Sequence, residues 1–215
     1  MDRIVVRRRL LAIIDEWKWP GANSILIISP FSHNARLPFD RIFPRLGQHG
    51  SRPYIRVTGY REEHLTDIND DDIRVALLAV LRSIISQLID MVINLNSRTF
   101  PQERIDGLHA IGANIWTSHL TVPNGIEIIK SLVPDVPHSE LYFCFEKLDR
   151  ITYINDDKPH EVLTGQFSEL LCYLVQPRAV GPVGKILWFG YDELIEAAAG
   201  QAGRVVIGQP RGFSG

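Results

Sequence analysis

Cysteine is scarce in this chain: among 215 residues there are two, Cys144 and Cys172. They stand far apart, each inside an apolar segment. That excludes a disulfide framework and a thiolate metal cluster, and it fits free thiols in a reducing compartment. Long apolar runs are missing as well. Arg7, Arg8 and Arg9 break the N-terminal apolar frame, so no signal-peptide pattern forms. The longest run elsewhere, 75–81, is too short to span a bilayer. Excess charge of either sign is lacking, with a formal net charge of -2, which gives no reason to expect nucleic acid or a membrane as partner. A cytoplasmic protein follows by elimination. Internal repeats and low-complexity segments are also missing.

What remains is the composition of one globular domain, 45% hydrophobic and 22% charged. Residues 2–17 have helical apolar spacing and stop at Pro20-Gly21. Short, continuously apolar runs at 24–29 (SILIIS), 141–145 (LYFCF), 185–189 (KILWF) and 204–207 (RVVI) predict strands buried on both faces. The weaker alternation of 53–60 (PYIRVTGY) suits a strand nearer the sheet edge. Helices are expected over 37–46, 73–96, 101–133, 160–176 and 192–199, punctuated by prolines and glycines. Five short strands separated by helices predict an α/β three-layer sandwich with a mainly parallel sheet. Residues 1–22 form an N-terminal helix and linker, 23–210 the domain and 211–215 a tail. In such sheets ligands sit at the carboxyl ends of the strands, so the residues after 24–29, 141–145 and 185–189 are the ones to inspect.

Several side chains have a plain structural reading. Asp70, Asp71 and Asp72 precede the long helix, where acidic residues complement the positive helix end. Cys144 reads as an inert core thiol. The histidines show no metal-ligand spacing, and His33 has no nucleophile beside it in sequence. Trp17, Trp19, Trp116 and Trp188 read as core or interface anchors. The acidic stretch 67–72, with Glu62 and Glu63, is a candidate docking surface for a protein partner.

Several pieces, in order, resemble the NTPase domain of the fungal nephrocystin-like and NACHT proteins, signal-transducing P-loop ATPases of the STAND type. The stretch 17–29 resembles their lead-in and first strand. Residues 81–88 (LRSIISQL) resemble the helix after their second strand. LYFCFEKLDR at 141–150 resembles their acid-bearing Walker B strand, and KILWFGY at 185–191 the strand that ends in a sensor position. The resemblance implies a sheet with the strand order of the additional-strand ATPases and a role in signalling or in immunity-like recognition such as heterokaryon incompatibility. ATP and Mg²⁺ are its implied ligands.

The departures from that pattern fall on the chemistry. The family's first strand runs into a glycine-rich loop ending in Gly-Lys-Ser/Thr, whose N–H groups wrap phosphate, whose lysine reaches the terminal phosphates and whose hydroxyl holds Mg²⁺. Here the place reads SPFSHNARLP, residues 29–38, with no glycine, no lysine and two prolines that remove N–H donors. The nucleotide-binding candidates are Ser29, Ser32, Asn34 and Arg36. At the acidic strand end, Glu146 stands where the family has aspartate, Lys147 is placed to neutralise a neighbouring carboxylate, and Arg150 replaces the final glutamate. Glu146 and Asp149 are the Mg²⁺ candidates, and Asp149 is the catalytic candidate. The expectation is a catalytically degenerate NTPase-like signalling or protein-interaction module that binds a protein partner, with ATP and Mg²⁺ the cofactors left open. The alternatives are an ATP-binding switch or slow ATPase using Arg36 with Glu146 and Asp149, and an unrelated Rossmann-like enzyme.

Overall fold

The computed structural model describes residues 25–28, 53–58, 70–117, 119–146, 148, 161–189 and 204–207, together with positions 12, 14, 16 and 17 of the N-terminal helical segment. The expected helices at 37–46 and 192–199 and the tail lie outside the described residues. In chain order the elements are β1 (Ile25–Ile28), β2 (Tyr54–Thr58), α1 (Asp70–Asn96), α2 (Gln102–Asn114), α3 (Val122–Leu132), a 3₁₀ turn (Val133–Asp135), β3 (Glu140–Glu146), α4 (Glu161–Val175), β4 (Val183–Phe189) and β5 (Arg204–Ile207).

The protein is α/β, with a parallel sheet covered by helices, as the alternating pattern predicts. β1 to β4 are ordered β2-β3-β4-β1, and the short β5 runs parallel to β1 beyond it. The weakly alternating strand, β2, does lie at the edge. The apolar runs underestimate β3 and β4, which gain Glu140 and Glu146 at the ends of one and Val183 and Gly184 at the start of the other. The 101–133 region divides into α2 and α3. Thr121 caps α3 by accepting from the Asn124 N–H, with Pro123 in the first turn, where a missing donor costs nothing.

Register explains the continuous apolar runs. Ile55, Phe143, Ile186 and Ile25 form one row across the sheet, and Arg56, Cys144, Leu187 and Leu26 form the next. Successive rows face opposite sides. The first side packs against α1, α3 and α4: Phe145 lies between Trp188, with centroids 5.4 Å apart, and Phe167, edge-on at 6.1 Å. Leu26, Cys144 and Leu187 are buried too, although they face the other way. With both faces dry, neither can carry a polar alternation.

On that second side Trp17 of the N-terminal segment is buried edge-on against Tyr142, at 5.4 Å. Lys185, only 3% exposed, donates through Nζ to the Trp17 carbonyl at 2.8 Å and lies 3.7 Å from Glu140 Oε1. Tyr142 Oη donates to the other oxygen of Glu140 at 2.8 Å. An ammonium buried this deeply is tolerated because it is hydrogen-bonded and paired.

The segment Ile73–Asn96 of α1 is, by length and composition, apolar enough to cross a bilayer. That corrects the impression left by the 75–81 run, because Arg82, Ser83, Ser86 and Gln87 interrupt the apolar pattern without lowering the mean hydropathy of the helix far. The same test is passed by core helices, and α1 packs as one. Its Leu77, Leu81, Ile84, Leu88 and Val92 join the cluster shared with β2, α3 and α4.

Close backbone approach seats α4 on β4. A Cβ on Gly184 would stand 2.3 Å from the Leu174 carbonyl oxygen. Gly181 has φ +87°, and a Cβ there would stand 2.7 Å from Pro134 Cα. Arg178 closes the end of α4, donating to the carbonyls of Tyr173, Leu174 and Pro182 while stacking 4.1 Å from the Tyr173 ring.

Candidate functional site

All the strands run the same way, so their carboxyl ends form one edge of the sheet. Ile28, Thr58, Glu146 and Phe189 are the residues at which β1, β2, β3 and β4 end there. The structure places Glu146 as the last residue of β3 at this edge, beside Thr58 of β2 and Phe189 of β4 in register. Ser29, Ser32, Asn34, Arg36, Asp149 and Lys147 lie outside the described residues, as does the acidic stretch at Glu62, Glu63 and 67–69. Of the sequence-derived site residues, the described structure therefore positions Glu146.

Its environment holds a partner that local sequence does not reveal. Arg56 of β2 donates from Nη2 to Glu146 Oε2 at 3.4 Å, across a sequence separation of 90. The strand-end carboxylate is thus balanced from the neighbouring strand. The Arg56 side chain is 37% exposed and the distance is long, so the pair itself contributes little stability, about 0–1 kcal/mol. Its consequence is electrostatic: at about 4 Å a unit charge changes its neighbour's energy by about 1 kcal/mol in water and about 4 kcal/mol at the intermediate dielectric of a protein surface.

The Arg56 main chain is held independently. Its N–H donates to Gln87 Oε1 at 3.0 Å, and its carbonyl accepts from Gln87 Nε2 at 2.7 Å. In a parallel strand these two groups point to the side away from β3, so a side chain of α1 supplies the pairing that another strand would otherwise give. Ser83 fixes the same amide, accepting from Gln87 Nε2 through its carbonyl and its hydroxyl, each at 3.1 Å.

Cys144 neighbours Arg56 in register on the same face. Burial pushes its thiol well above the usual range, with Arg56 pulling weakly the other way. A buried, protonated thiol is a poor nucleophile, in agreement with the core reading. Cys172 is half-buried, and its thiol is raised by burial and then by Glu169. Among the described residues there is no group of three His, Cys, Asp or Glu side chains that could hold a metal ion. Trp17 and Trp188 are buried anchors as expected. Trp116 is 67% exposed and is not a core residue, because it sits in the turn after α2 rather than within a packed element.

The chain matches no protein-family model and no curated protein sequence.

Proposed function

We propose that the chain is a catalytically degenerate P-loop NTPase-like domain that acts as a signalling or protein-interaction module in the cytoplasm and does not hydrolyse ATP by the usual mechanism. The observation that carries this reading is the order β5-β1-β4-β3-β2 of parallel strands. It is the order implied by the resemblance to the additional-strand ATPases, with one strand between the strand that leads into the phosphate loop and the strand that ends in the acid. Glu146 closes the strand that corresponds to the acid-bearing one.

The chemistry at the other position supports degeneracy. No lysine occurs between Lys18 and Lys130, and the segment directly after β1 contains Pro30 and Pro38 and no glycine. Phosphoryl transfer needs a phosphate cradle, a metal and a positioned water in register. A loop short of N–H donors and without the lysine supplies neither the cradle nor its charge. Binding then falls to surface chemistry, with a protein as the partner.

Steady-state release of phosphate from Mg·ATP by the purified chain tests this reading. The expected rate is that of buffer alone. Turnover that is lost in Asp149→Ala would restore the ATPase alternative.

A further inference from the structure

The resemblance brings with it a divalent cation at the acidic strand end, and among the described residues there the side chain facing the carboxylate is itself a cation. Glu146 Oε2 already faces the Arg56 guanidinium at 3.4 Å, and no triad of acidic or imidazole ligands forms among the described residues. A divalent cation bound through carboxylates is attracted by net negative charge. Here the first cation within reach of the carboxylate belongs to the protein.

We propose that Arg56 is the resident counter-cation of this strand end, standing where the resemblance places a metal, so that Glu146 is charge-balanced without any ion. This rests on the functional reading above in equating the end of β3 with the acidic position. Two features make Arg56 suited to the part. Its backbone is fixed on the outer edge of β2 by the two hydrogen bonds it makes with Gln87, one donated and one accepted, so the guanidinium starts from a fixed point. Its guanidinium is also covalently part of the chain and presents a planar fork suited to a carboxylate, so it stays at the site, whereas a bound ion exchanges with solvent.

Mn²⁺ alone is the probe, followed by the loss of the free-ion electron paramagnetic resonance signal in the full chain. Wild type is expected to take up no Mn²⁺ through Glu146, so Glu146→Gln changes nothing. Arg56→Met, which keeps the length of the side chain and removes its charge, is expected to bind Mn²⁺ at least about tenfold more tightly than wild type. Adding Glu146→Gln to Arg56→Met is expected to abolish that gain, and Arg56→Lys should behave as wild type. Far-UV circular dichroism confirms that each variant is folded.

Uptake by wild type that disappears in Glu146→Gln overturns the proposal, and this comparison holds even if Arg56→Met does not fold. No gain in a folded Arg56→Met also overturns it. The two readings fail separately. Metal on wild-type Glu146 without ATP turnover removes the resident cation and leaves the degenerate domain standing. Turnover with no metal on Glu146 does the reverse.

Discussion

The side-chain amide of Gln87 makes two hydrogen bonds with the main chain of Arg56, one in each direction, and so occupies the open edge of β2. An edge strand left bare offers a row of unpaired donors and acceptors to any other chain. Gln87→Ala removes both partners at once. The expected cost is about 1–3 kcal/mol in urea unfolding, together with increased self-association by light scattering. A folded, monomeric variant of unchanged stability would show that the amide does not protect the edge.

Lys185 and Trp17 are 168 residues apart, yet one hydrogen bond joins them on the second face of the sheet. Lys185→Met leaves Glu140 without its buried cation and the Trp17 carbonyl without its donor. A loss of about 3 kcal/mol is expected, the lower end for breaking a buried pair. The double variant Lys185→Met/Glu140→Gln should recover part of it, since the carboxylate that faced Lys185 is then neutral as well. An additive double variant would mean that the two groups do not interact.

Two glycines should respond in opposite senses to the same substitution. Gly184→Ala forces a Cβ to 2.3 Å from the Leu174 carbonyl oxygen, a backbone atom that cannot step aside. About 3 kcal/mol of destabilisation is expected, the upper end of ordinary overpacking. Gly107→Ala, in the middle of α2, meets nothing within 4 Å and should stabilise by about 0.5–1 kcal/mol through helix propensity. Thermal melts of the pair check both signs.

Thiol chemistry follows from burial. The Cys144 thiol is held protonated by desolvation, and Cys172 is shifted the same way by a smaller burial and by Glu169. Raised values mean less thiolate at a given pH, so both react below the rate of a free thiol. At pH 8 a disulfide reagent should label Cys172 slowly and Cys144 only after denaturant is added. Rapid labelling of Cys144 in the folded protein would contradict its position in β3.

These residues also show where sequence reading succeeds and where it stops. The interior strands announce themselves as continuous apolar runs because both their faces are dry, and β2 shows its edge position by its mixed pattern. Lys185 reads from the sequence as the polar start of a strand. It is buried because Glu140 of β3, itself held by Tyr142, and the Trp17 carbonyl meet it from two separate parts of the chain. Glu146 is legible as the end of a strand, but its partner is not. Lys147 is the cation that sequence proximity suggests, whereas the described partner, Arg56, arrives through strand pairing 90 residues away. Local pattern reports which face is dry, while charge pairing is decided by register, which no single segment contains. Trp116 marks the same boundary: its size suggests a core or interface anchor, and its place in a turn leaves it exposed, which removes the core reading.

The central proposal is that this parallel sheet follows the layout of a nucleotide switch and lacks its nucleotide chemistry. Calorimetric titration of the chain with Mg·ATP and Mg·ADP, with Arg36→Ala and Asp149→Ala alongside, tests it most directly. The account predicts no binding heat and, since a ligand that binds only the folded state must stabilise it, no rise in melting temperature at millimolar nucleotide. Micromolar binding that disappears in both variants would contradict it and make the altered loop a working nucleotide site.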